Sequence, residues 1–488
     1  MKPIQRIAKN TFFLLASNII QFFLSFIFLT KTTRYLGSEE YGVLSFAIAF
    51  ASIVIFLADL GISTVMVRDI ARDKTIAPKY FSNSILLKLI LSVVTLLSTA
   101  LIGFTFNYPF ATMQIVYVIT LSLIFVSFYG IIGSIIQAFE VMEYLSLGNV
   151  IYNVVMLICA LLAIHLGVDV LGFAYVYLIS SIIVAGYYFV IAMRKLPWPK
   201  WHIDLDLWKY LVKEAIPFGL STIFIRVYYY IDTLMISLMI ADPNAVMGCY
   251  NAAYRMVLIL SFIPITFLGS VYPIMSKYYV TSDKYLGLIF ERSFKYLMAL
   301  AIPIGVGTTL LGDQLVFLVY GPDYASSAIA LKILVWSEVL IFLSAVFGNL
   351  LNSTNRQVIV TRQTMFAAAL NIVLNLFLIP KYSYIGASIS TVSTELFSFF
   401  FLLYCVTKEG YRLPKNMLFN FFRVIIACSA MALFIRLFSS IATLPLIFMA
   451  SVVYLVAMLF TGVMDNVDIQ MARQLIGGAK SHDRRKGT

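Results

Sequence analysis

The sequence predicts an all-α polytopic membrane protein of about 14 transmembrane helices, with two six-helix lobes related as a parallel internal repeat and a C-terminal helix pair. Three observations carry that prediction. The 488 residues are 61% hydrophobic and 12% charged, with a mean hydropathy of +0.94, whereas soluble domains average about 25% charged residues. Apolar stretches near the ~20 residues that a helix needs to cross a bilayer recur along the whole length. Landmarks of the first half also return, in order, in the second.

In chain order the expected spans are residues 11–30, 41–63, 83–106, 113–137, 145–166, 170–192, 214–240, 246–272, 293–318, 326–352, 362–379, 383–406, 418–437 and 441–463. The first follows Lys2, Arg6 and Lys9, as a secretory leader would. Its apolar run is too long for a signal-peptide core and "FLTKTTR" has no small-residue cleavage site, so a retained helix is expected. Most of the 35 basic residues fall in the inner connections, while the outer ones keep only Lys31, Arg34, Lys381 and Arg436. This positive-inside bias predicts a multi-pass plasma-membrane protein with both termini cytoplasmic. The net charge of +12 therefore orients the chain, and no nucleic-acid partner is expected.

The internal repeat rests on ordered matches. "RYLGSEEYGVLSFA" returns as "DPNAVMGCYNAAYR", pairing Gly42 with Gly248, and "DLGISTVMVR" returns as "FLGSVYPIMSK", pairing Gly61 with Gly269. "HLGVDVLGFAYVYLIS" matches "IPKYSYIGASISTVST" through Gly172 and Gly386, and "KNTFFLLAS" matches "KEAIPFGLS" through Ser17 and Ser221. All four offsets are close to about 210 residues, a pattern that means duplication. Six spans per copy is an even number, so both copies enter the membrane the same way round. The expected division is residues 1–200 (spans 1–6), 201–410 (spans 7–12), and 411–488 (spans 13–14 and a basic cytoplasmic tail). Parallel repeats of this kind form transporters with the substrate between the halves.

Several chemistries lack their residues. A phosphate-cradling G-x-x-x-x-G-K-[ST] loop is missing, since "QLIGGAKS" has Gln474 and Ala479 where it needs glycines, so ATP is not an expected partner. The three histidines (His165, His202, His482) are scattered, and the four cysteines lie in or beside spans without metal-like spacing. No cofactor or metal is expected. "HIDLDLW" is read as an interfacial helix with Asp204 near its N-cap and Trp201 and Trp208 at headgroup level. A membrane-embedded glycosyltransferase or polymerase is the competing class. It would present acids or histidines on a sizeable outer loop, and the outer connections here are short, so the chain is not expected to be an enzyme.

"TRYLGSEEYGVLSFAIAF…LADLGISTVMVRDIAR", "YGPDYASSAIALKIL" and "LNLFLIPKYSYIGASISTVSTE" resemble the polysaccharide-transporter branch of the multidrug/oligosaccharidyl-lipid/polysaccharide (MOP) exporter superfamily. The resemblance covers essentially the whole chain, including the 6+6+2 layout. It implies an O-antigen-type flippase, which moves a lipid-linked oligosaccharide of the polyprenyl-pyrophosphate type to the outer leaflet by alternating access. A cation gradient or the membrane potential would drive it. A multidrug exporter of the same superfamily is the alternative. The implied partners are the lipid-linked oligosaccharide, membrane lipids, and Na⁺ or H⁺.

The charges inside the spans then need an account, because each costs at least ~2.5–3.5 kcal/mol in hydrocarbon. Lys88 and Lys332 lie about two turns into their spans and are expected to snorkel. "STIFIRVYYYIDTLMISL" holds Arg226 near mid-membrane and Asp232 six positions later, on a different face. Asp232 and Arg255 lie at similar depths, ~12 and ~14 Å, on adjacent spans, so a salt bridge between them is geometrically reasonable. Given the implied substrate, Arg226 is the favoured pyrophosphate ligand, because a guanidinium fork matches phosphate oxygens and stays charged. Arg255 and Arg34 are further candidates, with an interfacial anchor as the other reading of Arg34. Tyr229 is the candidate for stacking on sugar rings. Asp232, Glu338, Glu395 and Asp59 are left as candidates for ion coupling or salt bridges.

Overall fold

The computed structural model describes residues 3–196, 203–411 and 417–463. Among the described residues all regular structure is helical. The α-helices are α1 (Pro3–Val54), α2 (Phe56–Asp59), α3 (Ile62–Arg72), α4 (Ala77–Thr105), α5 (Phe110–Ala138), α6 (Met142–His165), α7 (Val170–Lys195), α8 (Leu205–Met239), α9 (Pro243–Leu258), α10 (Phe262–Thr281), α11 (Asp283–Tyr320), α12 (Ser327–Ser353), α13 (Gln357–Lys408), α14 (Met417–Leu437) and α15 (Thr443–Phe460). The basic tail at 464–488, and with it "QLIGGAKS", lies outside the described residues, as does Trp201.

Twelve candidate spans are long and apolar enough to cross a membrane, and the chain is a multi-pass membrane protein. The sequence reading counts fourteen, and the difference has a physical source. Helices α1 and α13 are each 52 residues long, ~78 Å at 1.5 Å per residue, more than twice the ~30 Å hydrocarbon core. Both are broken inside, at Gly37 (φ 70°, ψ 175°) and at Ser383 (φ 53°, ψ −136°). A residue that leaves helical geometry without a connecting loop joins two spans end to end, so dividing both helices restores fourteen. The break in α1 is stitched by Tyr324, whose hydroxyl donates to the carbonyls of Thr33 and Gly37 at 3.0 and 2.7 Å.

The segment read as an interfacial helix is instead the start of α8, continuous with span 7 for 35 residues. Asp204 caps it as expected, accepting from the Leu207 amide at 2.9 Å. Trp208 donates its indole N–H to Asn83 at 2.9 Å.

The chain forms two compact units. The first comprises Met1–Ala253, Val319–Ser327 and Thr364–Ser390, and the second Tyr254–Leu318, Ala328–Gln363 and Thr391–Thr488. The first has a core around Ile62, Met66, Ile131, Ile135 and Tyr188, with Tyr129 stacked on Tyr188 at 5.1 Å. In the second, Phe290, Phe294, Phe342 and Phe347 of α11 and α12 pack with Cys428 of α14 and Tyr454 of α15. Tyr454 also donates to the Ala299 carbonyl at 2.7 Å, which ties the C-terminal pair to span 9. Elsewhere large apolar side chains point outward, as Leu89, Val93, Leu97 and Leu101 do on α4. In a bilayer such surface meets lipid rather than water.

Candidate functional site

The site is built around a helix break. Helix α2 ends at Asp59, and the next two residues, Leu60 (φ 48°) and Gly61 (φ 89°), take left-handed conformations before α3 begins. Glycine accepts that geometry without a Cβ penalty. The reversal brings Ser63 back over Asp59, and its hydroxyl donates to the carboxylate at 2.6 Å.

Lys88 of α4 enters from the side. Its ammonium meets Asp59 at 2.5 Å, the Ser63 hydroxyl at 3.1 Å and the Ser127 carbonyl at 3.0 Å. An ammonium has three N–H donors, so Lys88 is fully spent. Its side chain is 1% exposed, which corrects the expectation of snorkelling: a counter-ion within reach makes burial cheaper than stretching to the interface. Lys332 does keep partial exposure, and pairs with Asp313 at 2.6 Å.

Arg226 of α8 completes the arrangement. One terminal nitrogen donates to the Ser52 carbonyl at 2.9 Å, while the buried Nε has no hydrogen-bond partner. Asp59, Ser63, Lys88, Ser127, Thr222 and Arg226 together line a cavity of about 190 Å³. Asp59 and Lys88 cancel, so the lining carries one uncompensated positive charge and a guanidinium edge with donors to spare. Buried donors are rarely left unpaired, and an anion with adjacent oxygens is the matching partner.

The structure brings Arg226 and Asp59 to this cavity and places the other candidates elsewhere. Arg34 is exposed, and its Nε donates to the Val319 carbonyl at 2.8 Å, beside the break in α1. Tyr229 is 41% exposed and meets Tyr228 edge-on at 5.6 Å. Asp232 is buried in a polar cluster, where it accepts from the Tyr250 hydroxyl and, at 2.5 Å, from Asn375, which also donates to Asn371 at 3.0 Å. Arg255 lies in the last turn of α9 and belongs to the second unit. Glu338 and Glu395 are buried in that unit too, and Glu338 accepts from Ser261 at 2.7 Å.

Sequence reasoning did not assign Lys88, Ser63, Ser127, Asn371, Asn375 or Tyr250 to any site. Two signals pointed to some of them. Asp59 and Lys88 are opposite charges on consecutive spans, and Asn371 and Asn375 stand four apart in an apolar helix, hence on one face.

Residues 7–279 match the family model described as polysaccharide biosynthesis protein, and residues 217–377 match the MatE model. The chain is 23% identical over 388 residues to the "Probable low-salt glycan biosynthesis flippase Agl15" of Haloferax volcanii, covering 79% of this chain and 80% of that protein. Its fold is similar to that of the lipid II flippase MurJ in an inward closed conformation, with a TM-score of 0.74 at 15% identity, covering 96% of this chain and 100% of MurJ. It is also similar to an inward-facing multidrug resistance MATE transporter of the MOP superfamily, with a TM-score of 0.65 at 15% identity, covering 80% of this chain and 96% of that one. These structural likenesses show a common fold. The matched family model spans more than half of the 488 residues, and the chain belongs to the polysaccharide biosynthesis protein family.

Proposed function

We propose that the protein is a flippase that carries a lipid-linked oligosaccharide, of the polyprenyl-pyrophosphate type, from the cytoplasmic to the outer leaflet. It works by alternating access between the repeats 1–200 and 201–410, with both termini cytoplasmic, and is not an enzyme. The observation that carries this reading is the unspent Arg226 edge in a net-positive cavity of a membrane-spanning unit. That edge fits an anionic phosphate linkage. In the second unit a groove of about 760 Å³, lined by Phe294, Met298, Leu343, Phe399, Phe421 and Ile425, is almost wholly apolar and suits an isoprenoid chain.

A flippase-named relative and the MurJ fold support the same reading. The MatE match supports the alternative of a multidrug exporter, but a cationic drug favours an acidic cavity, and the one built on Arg226 is basic. For coupling, Asp232, Glu338 and Glu395 remain the proposed Na⁺ or H⁺ carriers. Asp59 is the weakest of the four because Lys88 already neutralises it.

The test is flipping of a labelled polyprenyl-pyrophosphate oligosaccharide in proteoliposomes, with a cationic dye as the competing substrate. Arg226→Lys keeps part of the activity, and Arg226→Ala keeps expression and loses most of it. Normal flipping by a well-expressed Arg226→Ala protein would overturn the assignment of Arg226, and transport of the dye alone would overturn the flippase reading.

A further inference from the structure

Within the first unit, α1 and α6 each have two sides of opposite character. On α1, Ile20, Phe23 and Ile27 are exposed on one side, while Asn18, Gln21 and Ser25 lie within ~60° of one another on the other. On α6, Leu147, Val154 and Ile158 form the exposed apolar side, and Ser146, Asn149 and Asn153 the polar one. The two polar faces meet. The Ser25 hydroxyl donates to the Asn153 side-chain oxygen at 2.8 Å, and the Asn153 side chain donates to the Asn149 backbone carbonyl at 2.9 Å. Much hydrogen-bonding capacity is left unspent. The exposed side-chain amides of Asn18 and Asn149 make no hydrogen bond among the described residues. The Gln21 Nε2 and the Ser146 hydroxyl are buried without a partner there, and Ser146 is 3% exposed. Counted from Met142, Asn149 and Asn153 stand ~10 and ~16 Å along α6, well inside a ~30 Å hydrocarbon core. An unpaired amide facing lipid costs several kcal/mol, so the apolar sides take the lipid and the amide faces do not.

We propose that the paired amide faces of α1 and α6 bind the glycan of the lipid-linked substrate and select uncharged sugars. The proposal rests on the flippase reading and adds which part of the substrate these helices read. A sugar ring presents adjacent hydroxyls, each both donor and acceptor. A side-chain amide sets an acceptor oxygen beside a two-proton donor, so one amide serves two neighbouring hydroxyls. Three asparagines and a glutamine on two touching helices repeat that pairing over more than one ring. The Arg226 cavity does not duplicate this role, since its lining has no amide side chain. Selection against charge follows from the residues around the amides. Helix α1 has no acid, lysine, arginine or histidine between Lys9 and Lys31, and α6 has none between Glu143 and His165. A uronate or an amino sugar would bring its charge to mid-membrane with no counter-ion on these faces, whereas neutral hydroxyls need only hydrogen bonds. A second copy of the chain is the other partner that unpaired amides attract in a membrane. It would arrive through the lipid and meet the apolar sides first.

The test measures binding of three probes to the full-length protein in lipid nanodiscs, with no transport step. One probe is farnesyl diphosphate esterified to a glucose disaccharide, and the second carries a galacturonic acid disaccharide instead. The third is the methyl ester, which keeps the diphosphate and has no sugar. The parent protein binds the glucose probe about tenfold more tightly than the galacturonate probe. Asn18→Leu and Asn149→Leu each weaken the glucose probe about tenfold, equivalent to ~1.4 kcal/mol, and leave the methyl ester unchanged. Asn149→Gln, which keeps an amide, recovers part of the loss, and Ile158→Ala, on the apolar side of α6, changes neither probe. Where a leucine variant fails to reach the membrane, Asn149→Cys blocked with a maleimide after purification must give the same selective loss. Equal weakening of the glucose probe and the methyl ester would overturn the proposal, as would parent-like glucose binding in folded leucine variants. Galacturonate bound as tightly as glucose would overturn the selection of uncharged sugars. A variant that changes the oligomeric state while binding the glucose probe as the parent does would give the face to a second copy. Because binding is read without flipping, those results leave the transport reading standing, and a protein that binds the probes without flipping them would refute transport alone.

Discussion

Removing one member of the Asp59–Lys88 pair tests the electrostatics of the cavity, and the two removals should differ. Breaking a buried pair costs ~3–5 kcal/mol when it leaves the other charge uncompensated. The Lys88 side chain is 1% exposed and that of Asp59 is 34% exposed. Asp59→Asn thus strands a fully buried ammonium and belongs at the upper end of the range. Lys88→Met strands a carboxylate that is only partly covered, on the cavity wall, and keeps the Ser63 hydrogen bond, so its cost falls at or below ~3 kcal/mol, on the order of a hundredfold in the unfolding equilibrium. The double variant removes both charges and recovers most of either loss. The assay is unfolding in detergent, followed by tryptophan fluorescence as denaturant rises, with the midpoints of the four proteins compared. A Lys88→Met protein less stable than Asp59→Asn, or a double variant no better than the worse single, would refute the argument that burial of the ammonium sets the cost.

Two further outcomes concern topology and pH. Impermeant-reagent labelling of single cysteines places residues 68–80, 194–210 and 480–488 in the cytoplasm and 107–110 and 242–244 outside, and finding the termini on opposite sides would remove the fourteen-span arrangement. Asp69 lies beyond the spans, and burial alone would raise its pKa. Hydrogen bonds from Arg68, Tyr210 and Tyr80 outweigh that and hold the carboxyl below its ordinary value. Its stabilisation is therefore complete above the unfolded carboxylate pKa and is lost as pH falls through the lowered one. Asp69→Asn should flatten the acid limb of a melting-temperature profile, and a limb as steep as the parent's would assign the acid sensitivity to other groups.

Some of this molecule could be read directly from its residues. Apolar runs near the length of a bilayer crossing define membrane helices because hydrocarbon offers the backbone no other hydrogen-bond partners, so composition alone decides helix and span. The N-cap at Asp204 was legible for a related reason, since a short acidic side chain just before a helix serves its first free amides. Arg226 stood out because charge inside a span is costly wherever it occurs. What the sequence could not decide is which groups meet across the bundle. The span boundaries near Gly37 and Ser383 were legible, from the polar stretch 31–40 and from Pro380 and Lys381, but that helix runs up to a single non-helical residue on both sides, with no loop between, was not. Lys88 is two turns inside its span, where snorkelling and ion pairing are equally open to a flexible chain; only the reversal at Leu60–Gly61, which sets Asp59 and Ser63 against α4, selects the pair. The unspent edge of Arg226 was likewise beyond reach, because a donor is free or satisfied according to which carbonyl a neighbouring helix presents, and Ser52 lies 174 residues away along the chain.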